Sequence, residues 1–150
     1  RLVLPLRTPR DEDRSLAPFA EPESAAPAPH SSLASYQRAR TVTLDAGSGE
    51  TVVEITKDRG RFRLQDVDIE YAGKGTERIS IREGDPLSAV GEADYCIALK
   101  RGDWQVRTES KTTLTSTAND FLVRASMDAY EGNERVFTKA WSKRVPRRGI

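Results

Sequence analysis

Between Trp104 and Val145 the chain holds three long segments in which apolar or small side chains recur at every second position, and this constrains its fold more than any other feature. Trp104, Val106, Thr108, Ser110, Thr112 and Leu114 share one parity, opposite Gln105, Arg107, Glu109, Lys111 and Thr113. After Asn119-Asp120 a second row follows, Phe121, Val123, Ala125, Met127 and Ala129, opposite Leu122, Arg124, Ser126 and Asp128. Gly132-Asn133 has the chemistry of a tight hairpin turn, and Phe137, Trp141 and Val145 then face one way on a third segment. Successive side chains of a strand point to opposite faces, so a period of two is a strand signal and is incompatible with a helix. Segments this long exceed the usual strand and must twist and coil strongly.

Upstream the same period holds in shorter pieces. From Arg40, Val42 and Leu44 alternate with polar residues, and Ala46-Gly47-Ser48-Gly49 turns into Thr51–Lys57, where Val53 and Ile55 share a side. Asp58-Arg59-Gly60 reads as a second turn, before Phe62 and Leu64. The step in phase between Leu64 and Val67, ahead of Ile69 and Tyr71, predicts a bulge or break near Gln65. Gly73-Lys74-Gly75 reads as a further turn leading to Ile79 and Ile81. A short stretch, Pro86–Val90 after Gly84-Asp85, is the one helical candidate. Tyr95, Ile97 and Leu99 again share a face, and Arg101-Gly102-Asp103 turns the chain into Trp104. Turn signals at this spacing define an all-β fold. The expected architecture is an antiparallel meander of roughly seven to nine long twisted strands, forming a curled sheet, a half-barrel or an open sandwich.

The first 39 residues differ in character. Leu2-Val3-Leu4-Pro5-Leu6 reads as an edge strand, because its proline cannot donate to a central ladder. Thr8–Ser35 concentrates Pro9, Pro18, Pro22, Pro27 and Pro29 among Ala, Ser and Glu. That is the composition of an extended arm or linker, unsuited to helix or ladder. The expected organisation is therefore an edge strand plus proline-rich arm over 1–39 and an antiparallel β domain over 40–150. Opening on Arg1 and an apolar run, the chain reads as a piece of something longer. Its hydrophobic fraction, 37%, is low and its charged fraction, 31%, is high against a globular norm of about 45–50% and 25%. A sheet with one wet face accommodates both figures.

Few classes of chemistry survive inspection. Lysine and arginine number 24 against 23 acidic residues, a net charge of +1, so no global field points to nucleic acid or an anionic membrane. No apolar run reaches the ~20 residues of a membrane span, and no signal-peptide pattern is present. The single cysteine, Cys96, precludes an internal disulfide and fits a cytoplasmic setting; its parity points it away from the apolar row. The single histidine, His30, lies in the arm, without the packing that holds a catalytic base against a nucleophile. Gly47-Ser48-Gly49 lacks the spacing of a nucleophile elbow, and Gly73-Lys74-Gly75-Thr76 lacks the upstream glycine and following helix of a phosphate loop. The acidic run Asp11-Glu12-Asp13 reads as a solvated loop, and one His with one Cys cannot build a zinc site of the usual kind. Lys139, Lys143, Arg144, Arg147 and Arg148 make a basic tail without a stacking platform, better read as a charge-protected edge strand. Arg101-Gly102-Asp103 matches an integrin-binding tripeptide, but a hairpin turn needs the same residues. No catalytic, cofactor-binding or metal residue is assigned.

Several strings, in order along most of the chain, resemble the C-terminal region of CocE/NonD-type serine hydrolases, relatives of the Xaa-Pro dipeptidyl-peptidase (S15) family. They are Leu2-Val3-Leu4-Pro5 with its acidic, proline-rich sequel; Gly60-Arg61-Phe62-Arg63-Leu64; Ser80 to Ala89; Arg101-Gly102-Asp103-Trp104; Asp128-Ala129-Tyr130-Glu131-Gly132; and Arg135 to Trp141 leading to Val145-Pro146-Arg147. Arg148 departs from the acidic residue expected after Pro-Arg. The resemblance implies a non-catalytic β module following the hydrolase and jelly-roll domains of a larger enzyme, which would be its partners. None of the family's catalytic residues maps onto this chain. Two alternatives rest on the residues: a lipocalin-like binder of small hydrophobic ligands, suggested by Gly102-Asp103-Trp104 and an apolar inner face, and an interaction or oligomerisation module.

Overall fold

The computed structural model describes residues 7, 8, 10–15 and 17–148; the strand expected at Leu2–Leu6 lies outside them. The chain is all-β apart from one short helix, α1 (Asp11–Arg14). Eight strands follow: β1 (His30–Ala34), β2 (Gln37–Asp45), β3 (Glu50–Leu64), β4 (Ile69–Arg82), β5 (Asp85–Arg101), β6 (Trp104–Ser116), β7 (Asp120–Glu131) and β8 (Glu134–Pro146). All pairings are antiparallel, and the sheet runs β1-β3-β4-β5-β6-β7-β8 with β2 also on β3. It is one open, curled layer, so the meander predicted from the alternation is present. Within the arm, helix forms at Asp11–Arg14 and the ladder begins at His30, earlier than the proline content implies.

β1 and β2 together make one edge. β2 covers the first half of β3, from Asp45↔Glu50 to Gln37↔Asp58, and β1 covers the second, from Ala34↔Arg61 to His30↔Leu64. The break between them faces a bulge in β3 between Asp58 and Arg61. Asp58-Arg59-Gly60 is therefore a bulge inside a long strand, where a turn was expected. Gly60 sits at φ +68, Asp58 Oδ1 accepts its N–H at 2.8 Å, and the backbone of Ala34 and Ser35 passes directly against its α-carbon. Only glycine combines that dihedral with so close an approach.

Three other local expectations change. The break near Gln65 is a complete hairpin turn over residues 65–68, with Asp68 at φ 50. Gly73-Lys74-Gly75 lies in the middle of β4, because aromatic rings replace the missing side chains. The Tyr71 ring covers Gly73, and Tyr95, directly opposite Gly75, lays its ring over that glycine. Pro86–Val90 opens β5 instead of forming a helix. Pairing with β4 (Arg82↔Asp85, Ser80↔Val90) engages this segment, and Ser88 Oγ accepts the Arg82 N–H at 2.8 Å across the irregularity.

A single layer has no interior. Among the described residues no hydrophobic side chain is buried, and the buried positions are Gly60, Gly73, Gly75 and Ser80, small residues beneath their neighbours. No helix among them is long and apolar enough to cross a membrane.

Candidate interaction surface

Register turns the sequence alternation into two unlike faces, since directly paired residues project to the same side. One face collects Val42 and Leu44 from β2, Val53, Ile55, Phe62 and Leu64 from β3, and Ile69, Tyr71, Ile79 and Ile81 from β4. It continues through Tyr95, Ile97 and Leu99 of β5, then Trp104, Val106 and Leu114 of β6. Phe121, Val123 and Met127 of β7 and Phe137, Trp141 and Val145 of β8 complete it. Many of these remain open to solvent: Leu44 is 65% exposed, Ile79 51%, Trp141 43% and Trp104 41%. Phe62 stacks on Tyr71 at 5.1 Å, and the His30 ring meets Phe62 edge-on at 5.8 Å.

The opposite face is a lattice of ion pairs. Arg63 bonds Glu70 at 2.6 Å, Arg107 bonds Glu109 at 2.9 Å, and Arg78–Glu92, Arg135–Asp128, Arg144–Asp120 and Lys111–Asp94 span 3.3 to 3.7 Å. Arg107 also lies 3.7 Å over the Tyr130 ring and donates to the Gly132 carbonyl. Exposed pairs of this kind contribute little to stability individually. They suit a face that stays in water.

One polar group interrupts the apolar face near its centre. Lys57 Nζ bonds Glu77 Oε1 at 2.7 Å, and the Tyr95 hydroxyl donates to the same oxygen. The Lys57 ammonium, and after it the Tyr95 hydroxyl, hold the Glu77 carboxyl below its ordinary range. The shared carboxylate in turn raises both Lys57 and Tyr95. Tyr95 thereby covers Gly75 and ties β4 to β5.

The residues singled out in sequence do not converge. His30 is on the edge strand β1, its Nδ1 3.2 Å from the Ala28 carbonyl. Cys96 is half-buried on the charged face, between Lys74 and Glu109. Gly47 and Ser48 lie in the β2–β3 turn, where Asp45 Oδ1 accepts both N–H groups at 2.8 and 3.3 Å; those bonds lower the Asp45 carboxyl. Asp13, in α1, is engaged by Arg7 at 2.7 Å and by the Arg10 N–H. The basic tail is split by the strand period: Lys139 and Lys143 stand on the apolar face and Arg144 on the charged one, while Arg147 bonds the Thr117 carbonyl. Arg101-Gly102-Asp103 is a hairpin turn. What sequence reasoning did not reach is that the apolar rows of all the strands merge into one uncovered surface. The signal was there, in the shared parity of the rows and the low hydrophobic fraction.

No protein family, curated protein or solved structure matches the chain.

Proposed function

We propose that this chain is a non-catalytic β module that works by packing its apolar face onto a neighbouring folded surface. The observation that carries the reading is the coexistence of a continuous apolar face with no buried hydrophobic side chain among the described residues. An exposed apolar patch on this scale is a recognition surface, not a property of an isolated soluble domain. The family resemblance supplies the neighbour: the α/β-hydrolase and jelly-roll domains of a larger enzyme cleaving ester or amide bonds. The open sheet offers a small apolar ligand a surface in place of an enclosed cavity, so the ligand-binding alternative gains no support.

Two measurements on the 150-residue chain test this. An environment-sensitive apolar dye such as ANS should bind the chain and lose part of its signal with Trp141→Glu. Purified chain should not hydrolyse p-nitrophenyl esters or Xaa-Pro anilides. Turnover blocked by a serine-directed inhibitor, or dye binding indifferent to Trp141, would refute the reading.

A further inference from the structure

The charges bordering the apolar face say what kind of surface covers it. Register places Arg38, Lys57, Gly75, Tyr95, Ser110, Met127 and Lys139 in one row across the sheet. Both ends of the row are cations on edge strands. Arg40 extends the positive edge on β2 and Lys143 does so on β8, and among the described residues none of these four makes an ion pair. The carboxylates on this face are Glu77, already bound by Lys57 and Tyr95, and Glu131 and Glu134 at the β7–β8 hairpin. The apolar face thus has two basic rims.

Resting on the packing reading above, we infer that the occupant of this face is another protein surface whose apolar centre is flanked by carboxylates, and not a second copy of the chain. Two arguments exclude the nearer candidates. In a face-to-face pair of identical sheets, a two-fold axis along the strands lays β2 over β8, and one across them lays each edge over itself. Both arrangements bring cation onto cation, which opposes association. The chain's own acidic arm fails on area. Strands of about 12 residues at ~3.3 Å, side by side at ~4.8 Å over seven positions, present a face of roughly 1,200 Å². That exceeds the ~800 Å² that each partner of a standard interface contributes. Against it, the described arm before β1 offers Phe19 as its exposed large hydrophobic residue.

The test uses two synthetic amphipathic helices with the same Leu/Phe stripe, one flanked by Glu and one by Lys, titrated against the whole chain while Trp104 and Trp141 fluorescence is read. A helix about 10–12 Å across lies along one rim at a time and meets two of its cations. Exposed ion pairs give about 1.5- to 5-fold each, so the Glu-flanked helix should be favoured by roughly two- to twenty-five-fold at low salt. At about 0.5 M salt the preference should largely collapse. Arg38→Glu/Arg40→Glu/Lys139→Glu/Lys143→Glu should reverse it. Equal affinities, preference for the Lys-flanked helix, or no binding of either would overturn the inference. So would a wild-type dimer, by light scattering, that Trp141→Glu dissociates. The packing reading fails separately, by the dye measurement, whatever the helices do.

Discussion

Gly60→Ala probes the junction on which the sheet's first edge depends. An alanine at φ +68 costs about 1–2 kcal/mol, because Cβ meets the following carbonyl in the left-handed region. A β-carbon there would also overlap the Ala34 carbonyl oxygen and come within 2.8 Å of the Ser35 carbonyl carbon. Those are backbone atoms, so relief requires lifting residues 34–35 and with them the pairing of His30–Ala34 on Arg61–Leu64. Losing about two ladder bonds at a net ~1 kcal/mol each adds roughly 2 kcal/mol, for a total near 3–4 kcal/mol. Gly84→Ala is the matched control: its φ is +73, but nothing lies within 4 Å of the added carbon, leaving only the dihedral term. Urea unfolding should separate the two variants by about 2 kcal/mol, or about 1 M in midpoint at a typical slope of ~2 kcal/mol/M. Hydrogen exchange should show the β1 amides deprotected in Gly60→Ala alone. Equal midpoints would refute the account of the bulge as a backbone crossing.

Two further perturbations concern the centre of the apolar face. Gly75→Ala should destabilise the wild type, because the new carbon displaces the Tyr95 ring; in a Tyr95→Ala background it should become neutral or stabilising by about 0.5–1 kcal/mol, the usual gain of alanine over glycine in a strand. A double-mutant cycle by urea unfolding reads that change of sign, and additive effects would count against the ring covering the glycine. The Lys57–Glu77–Tyr95 cluster also predicts a pH window. The lowered Glu77 contributes stability above its ordinary value of 4.5, lost as pH falls through the folded value. The raised Tyr95 and Lys57 contribute below 10.0 and 10.5, lost as pH rises through their folded values. The stability difference between wild type and Glu77→Gln should therefore be flat from about pH 5 to 9 and shrink on both sides; a difference independent of pH would rule the cluster out.

Local chemistry made much of this fold legible. The parity of Phe121, Val123, Ala125, Met127 and Ala129 fixed both the strand and the face these residues share, and Gly102-Asp103 and Gly132-Asn133 marked hairpins the structure contains. Gly60, Gly75 and Pro86 were misread because their meaning depends on another strand, whereas Gln65–Asp68 is a local hairpin turn where a bulge or break was expected. Gly75 resembles a turn until Tyr95, twenty residues on, covers it; Gly60 does so until the β1–β2 edge crosses it. Pro86 suggests a break until β4 supplies the pairing.

By itself the sequence determined the class of element and the face each side chain takes, because a two-residue period is a local property of the backbone. Whether the apolar rows would close around an interior or stay spread in one layer was decided only by tertiary structure, through pairing register and the unpaired edges at β1, β2 and β8. The same register split the basic tail between two faces and set Lys139 in line with Arg38. Six successive strand pairings align residues a hundred positions apart, such as Arg38 and Lys139, and no window along the chain contains that alignment.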